Sequence, residues 1–188
     1  MADLEAAKQA LLAELREHSL VIGEVTLSSG RVAQYYVDAR RTLMRPGGFR
    51  AAGELIAAVA HQVGATAVGG PATAAIAPSC AVLAVPAGDD LVAFFVRGEK
   101  KQHGLQRWVE GPVEAGVRCL IVEDTVTTGG STAEAIERCR EEGLEIAGVV
   151  AVVDRLAGGA ERIEAAARAP YRALCTIDEL YPDRPDRA

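Results

Sequence analysis

Residues Leu120 to Ser131 read LIVEDTVTTGGS. The segment Arg118–Val122 is short and almost wholly apolar beyond its first residue, as a strand buried on both faces of a parallel sheet must be. Two acids follow, Glu123 and Asp124, and then a turn rich in hydroxyls and glycine. Thr132–Glu142 has a helical pattern, closed by Gly143. Strand, turn and helix in this order make the repeating unit of an α/β sheet, and such sheets bind ligands at the carboxyl ends of their strands.

The chemistry of the turn is specific. Its backbone N–H groups and the N-terminus of the following helix form an anion cradle, and Gly129-Gly130 lets the backbone approach closely. Thr125, Thr127, Thr128 and Ser131 add hydroxyl donors. A phosphate fits there. The two acids would repel it; they suit a neighbouring group that donates hydrogen bonds, such as a pair of sugar hydroxyls. A phosphate joined to a diol is a ribose 5-phosphate. A nucleotide P-loop would need a lysine followed by Ser or Thr after its glycines, and the dinucleotide fingerprint GxGxxG is absent.

Working outward, the same alternation continues. Ala65–Val68, Leu91–Val96, Ile146–Val153 and Arg172–Cys175 read as further strands. Phe49–Val63, an alanine-rich segment reaching about Val85, and Ala160–Arg168 read as helices, with Pro78 as a kink or late start in the second. Before them come a helix over Leu4–Arg16 and a hairpin, Val25–Leu27 and Gln34–Val37, turning at Ser28-Ser29-Gly30. The expected fold is α/β: a mostly parallel central sheet flanked by helices, in a single domain over 1–188.

Composition narrows the classes. The chain has 188 residues, 49% of them hydrophobic and 24% charged, which suits one soluble globular domain. No apolar run is long enough to span a membrane, and the charged N-terminus is unlike a signal peptide, so a cytoplasmic protein without a membrane partner is expected. A net charge of −6 argues against nucleic acid as the partner. The four cysteines form no CxxC pair and three lie in apolar runs, as buried reduced thiols do; the three histidines are too scattered for a zinc site, and no metal-ligating residues are assigned.

A second constellation stands at Val96–Gly111, VRGEKKQHGLQRWVEG. Arg97, Lys100, Lys101, His103 and Arg107 are cationic or can become so, and a polar loop of this length suits a lid that brings positive charge to an anion. Such charge would stabilise an anionic leaving group as its negative charge develops. Tyr35-Tyr36 reads equally well as core aromatics or as a base-stacking pair. Trp108 is unusual in a polar loop, and either lid closure or a subunit interface would cover it.

VEDTVTTGGS resembles the phosphoribosyl pyrophosphate (PRPP) signature of type I phosphoribosyltransferases. RxxxKxHG, from Arg97, is similar to the catalytic loop of orotate phosphoribosyltransferases; TLSSGRVAQYYVDAR resembles their hood segment, and Val152–Arg155 the segment that offers an arginine to orotate. Gly98, however, stands where many members carry a lysine, and ATAAIA follows Gly70-Pro71 without the Tyr-Lys of some members. The resemblance implies transfer of phosphoribosyl from PRPP to orotate, giving orotidine 5-phosphate in pyrimidine biosynthesis. It implies a small N-terminal hood, with hood elements at about 1–45 plus the C-terminal part and a core at about 46–157, Mg2+ held mainly by the substrate, and a homodimer whose catalytic loop is shared between subunits. Lys101, His103 and Arg97 would act on pyrophosphate; Glu123, Asp124, Thr125, Val126, Thr127, Thr128, Gly129, Gly130 and Ser131 would bind PRPP; Thr127 and Arg155 would touch orotate. A phosphoribosyltransferase for another base and a non-catalytic PRPP-sensing module of the same fold stay open.

Overall fold

A computed structural model of the chain describes residues 3–26, 32–99 and 107–187. Its order begins α1 (Leu4–His18), β1 (Leu20–Thr26), β2 (Val32–Val37), α2 (Arg40–Leu43) and α3 (Pro46–Val63). It continues with β3 (Ala67–Pro71), α4 (Ile76–Val82), β4 (Val92–Val96), β5 (Val109–Glu110), β6 (Arg118–Val126) and α5 (Gly130–Glu141). The chain closes with β7 (Glu145–Asp154), α6 (Gly159–Ala167), β8 (Tyr171–Thr176) and α7 (Ile177–Leu180).

Six strands form the main sheet in the order β5-β4-β3-β6-β7-β8. All neighbours are parallel except β5, which runs antiparallel to β4 along the edge. The alternation of side chains along β6 explains its unbroken apolar run. Leu120 and Val122 join the core under α1 and α3, while Cys119 and Ile121 join the core under α5 and α6. Both faces are therefore buried, as expected for a parallel sheet.

The hood hairpin exists, but β1 begins at Leu20 rather than Val25; its expected turn, Ser28–Gly30, lies outside the described residues. The early start is not visible in the sequence because β1 is bulged: the pairing shifts between Ile22 and Val25, and Gly23 has φ 130°, which breaks the two-residue alternation. Pro78 neither kinks nor delays α4. It is the third residue of that helix, where a missing N–H costs nothing. α3 starts three residues before Phe49, with Pro46 in its first turn, and Gly64 closes it at φ 67°. The edge strand β5 was not legible, being two residues inside a polar segment.

The difference that matters most is at the end of β6. The strand does not stop at Val122 but pairs with β7 as far as Val126↔Asp154. Glu123 and Asp124 thus stand on regular strand, and helix α5 begins at Gly130, two residues early.

Candidate active site

Where β6 and β7 end, beside the start of α2, the chain encloses a cavity of about 310 Å3. Its walls include Asp38, Arg40, Glu123, Asp124, Thr127 and Arg155. An adjoining hollow of about 150 Å3 is formed wholly by Thr125–Thr132. A larger, mostly apolar cleft of about 1030 Å3 lies alongside, walled by Leu43, Met44, Phe49 and Ile76 together with Asp38, Arg40, Arg41 and Arg45. The smaller, polar pair is the candidate site.

Alternation along an extended strand sends Glu123 and Asp124 to opposite faces. Glu123 turns inward and is only 3% exposed. Its Oε2 accepts hydrogen bonds from Ser131 Oγ at 3.1 Å and Thr132 Oγ1 at 2.8 Å, which ties the strand to the first turn of α5. Burial pushes its carboxyl up to about 7, against the opposing pull of the Thr132 and Ser131 hydroxyls. Asp124 also rises, to about 6: burial dominates, the Thr125 N–H and Arg40 oppose it, and the nearby Asp38 adds to it. Arg40 bridges the two aspartates, with Nε 2.8 Å from Asp38 Oδ1 and 4.0 Å from Asp124 Oδ2.

The hydroxyl-rich turn is held by close packing against α6. Gly129 has φ 70°, and a Cβ there would stand 2.7 Å from the carbonyl oxygen of Gly159 and 2.8 Å from Ile163 Cγ1. Gly159 is equally confined: its Cβ would meet Val126 Cγ1 at 2.5 Å and the Thr127 carbonyl oxygen at 2.7 Å. The turn owes its shape to glycine on both sides of the contact. Val126 is 1% exposed with its side chain in the core, so only its backbone is available at the site.

Arg155 follows β7, its N–H bonded to the Val126 carbonyl at 2.9 Å. Its guanidinium carbon lies 5.7 Å from the centre of the Tyr35 ring, and its Nε is buried without a hydrogen-bond partner among the described residues. The tyrosine pair divides its duties. Tyr35 is 4% exposed, donates to Asp186 Oδ2 at 3.1 Å and meets Tyr181 edge-on, so it is a core aromatic. Tyr36 lines the cavity.

Of the other expected residues, Lys101 and His103 lie outside the described residues. Arg97 is described and lines neither hollow; its Nη1 lies 3.6 Å from Glu110 Oε1 and its Nε donates to the Glu99 carbonyl. Trp108 packs within its own chain. Arg138 of α5 stacks 4.2 Å from its ring, and its two N–H groups donate to Glu142 and Glu141. Asp38 and Arg40 close the hood segment TLSSGRVAQYYVDAR, which gave them no site role of their own, because they reach the site from the hood side; a Gly158-Gly159 pair after a strand was a signal that passed unread. Among the described residues no group of three or more His, Cys, Asp or Glu could hold a metal.

A profile described as "Phosphoribosyl transferase domain" matches residues 46–169. Orotate phosphoribosyltransferase from Streptomyces avermitilis is 44% identical over 182 residues, covering 96% of this chain and 100% of that protein. The corresponding enzyme of Corynebacterium glutamicum is 43% identical over 178 residues, covering 94% of this chain and 96% of that protein. A crystal structure of Mycobacterium tuberculosis orotate phosphoribosyltransferase in complex with PRPP superposes with a TM-score of 0.80 at 35% identity, covering 93% of this chain and 98% of that one. On its sheet, its PRPP-type turn and these likenesses, the chain belongs to the orotate phosphoribosyltransferase family.

Proposed function

We propose that this protein transfers the 5-phosphoribosyl group of PRPP to N1 of orotate, forming orotidine 5-phosphate and releasing pyrophosphate. The observation that carries the assignment is the meeting, in one pair of hollows, of an anion-cradling turn, two carboxyl groups and an arginine whose Nε has no partner among the described residues. In this reading the backbone N–H groups and hydroxyls of Thr125–Ser131 receive the 5-phosphate, Val126 contributing backbone only. Glu123 and Asp124 receive the ribose hydroxyls. Thr127 and Arg155 hold orotate, the guanidinium fork matching its planar carboxylate.

Arg97, Lys101 and His103 are assigned to the leaving pyrophosphate, where positive charge stabilises the transition state most. The side chain of Arg97 stands away from its own chain's cavity, which suits action in the site of a second subunit. We infer a homodimer on this ground. The exposed Met44, at 76%, and Ile76, at 37%, beside the apolar cleft are supporting features.

Mg2+ fits the site through its chemistry. Asp38 and Asp124 both stand beside Arg40, and their carboxylates could accept hydrogen bonds from the waters of a substrate-held cation without forming a dedicated cage. When bound with the substrate it would neutralise charge on the departing pyrophosphate. The hood, residues 1–45 with the C-terminal part, would cover the base. The free, buried thiols of Cys119, Cys139 and Cys175 support a cytoplasmic location.

The test is an assay with orotate, PRPP and Mg2+, following loss of orotate absorbance and release of pyrophosphate. Turnover that requires all three is expected. PRPP binding without turnover of orotate would instead favour another base or a PRPP-sensing role.

A further inference from the structure

Asp154 ends β7 and is 3% exposed, yet it is not among the residues walling the cavity. Both of its oxygens are used. Oδ1 accepts the backbone N–H of Leu156 at 2.7 Å, two residues on, forming a tight side-chain-capped turn. Oδ2 accepts the hydroxyl of Tyr171, on the neighbouring strand β8, at 2.8 Å. Burial, and then the bond to Asp154, hold the Tyr171 hydroxyl well above its ordinary value, so it stays protonated and remains the donor.

Arg155 sits between these anchors. On one side its own N–H is tied to the Val126 carbonyl. On the other, Leu156 is held at φ 55°, a left-handed backbone that a leucine adopts only when its surroundings impose it. The side chain projecting from this turn is the one whose Nε is buried and unpartnered among the described residues. Arg155 lines the cavity, and an incoming carboxylate would meet a guanidinium that still has a donor without a partner among the described residues.

We propose that Asp154 and Tyr171 are positioning residues for Arg155. The Tyr171 hydroxyl holds the Asp154 carboxylate where it caps Leu156, and the capped turn aims the guanidinium into the cavity. The proposal rests on the reading of Arg155 as the group that receives the acceptor's carboxylate.

The experiment compares Tyr171→Phe, Asp154→Ala, Asp154→Asn, Arg155→Ala and the double variant Tyr171→Phe/Arg155→Ala in the full chain. KM for orotate, KM for PRPP, kcat and Tm are measured for each. Tyr171→Phe should raise the orotate KM by about 5- to 10-fold, the scale of one hydrogen bond, and leave the PRPP KM within about twofold. Asp154→Ala should do more, and Asp154→Asn, which keeps an acceptor for the Leu156 N–H, should recover most of the loss. In the double variant the Tyr171 change should add nothing to Arg155→Ala, since the group it positions is gone.

Equal rises in both KM values, or a loss that adds fully to that of Arg155→Ala, would mean a general structural role and overturn the proposal. An orotate KM raised by Arg155→Ala but untouched by Tyr171→Phe would overturn the positioning claim alone. An orotate KM indifferent to Arg155→Ala would remove the arginine's assigned role and the proposal with it. Tyr171→Phe keeps the ring in place, so the test stands even if Asp154→Ala does not fold.

Discussion

Replacing Glu123 by glutamine separates the site's demands from the stability of the fold. The carboxyl is 3% exposed, and burial raises it from an ordinary 4.5 to about 7. Between those two values the folded chain holds a proton that the unfolded chain has released. Stability must therefore fall as pH rises through that window and level off above it. At about 1.4 kcal/mol per tenfold, the loss is on the order of 3 kcal/mol. Glutamine carries no charge, and its carbonyl can still accept from the Ser131 and Thr132 hydroxyls, so most of the first turn of α5 stays tied to β6. Glu123→Gln should match the wild type near pH 4, below the unfolded carboxyl's 4.5, and exceed it by about 3 kcal/mol at pH 8.5, a Tm gain of roughly 6–12 °C for a chain of this size. The same variant should bind PRPP more weakly at pH 8.5, where the carboxylate is assigned to the ribose hydroxyls. Urea and thermal unfolding at the two pH values, with a PRPP titration beside them, provide the measurement. A stability difference that does not grow with pH would refute the account of Glu123 as a charge buried at a cost for function.

Lys101→Ala should lower turnover far more than it loosens PRPP binding, as a group acting on the leaving pyrophosphate must; equal kcat for wild type and variant in steady-state assays would remove that role. Gly129→Ala forces a Cβ to within 2.7 Å of the Gly159 carbonyl oxygen at φ 70° and should cost on the order of 2–4 kcal/mol in urea unfolding, with loss of PRPP binding; unchanged stability would mean that the turn can shift freely. Asp124, raised to about 6, should lose acceptor capacity as pH falls through that value. The kcat/KM for PRPP should then decline below pH 6 more steeply in the wild type than in Asp124→Asn, whose profile keeps the titrations of Glu123 and of the substrate's phosphates but loses that of Asp124, and parallel profiles would rule out that role. Chelation of Mg2+ with EDTA should abolish turnover and its readdition restore it; persistence of activity in excess EDTA would contradict the cation's assignment.

Much of this was readable from the chain. The alternation of short apolar runs with helical segments identified a parallel sheet, because strands covered on both faces tolerate few polar residues and helices must show one apolar stripe. The turn Thr125–Ser131 was legible as an anion site because glycine, hydroxyl and helix start are local requirements, met by consecutive residues. Local signals also failed in local ways. The bulge at Gly23 hid half of β1, and a two-residue edge strand offers no periodicity at all. The tyrosine pair could not be divided between core and cavity until Tyr181 and Asp186, some 150 residues away, were placed against Tyr35.

Periodicity, turn residues and charge are properties of neighbours along the chain, and they were enough for the fold class, the order of the main strands and helices and the chemistry gathered at LIVEDTVTTGGS. Tertiary structure alone decided how that chemistry is arranged. Pairing of β6 with β7 extends the strand through both acids, and the pleat then turns Glu123 into the core while Asp124 meets Arg40 and Asp38 from the hood. It also decided that Asp154 and Tyr171 flank the arginine of the site. These are contacts between residues far apart in sequence, and no local pattern encodes which distant partner will arrive.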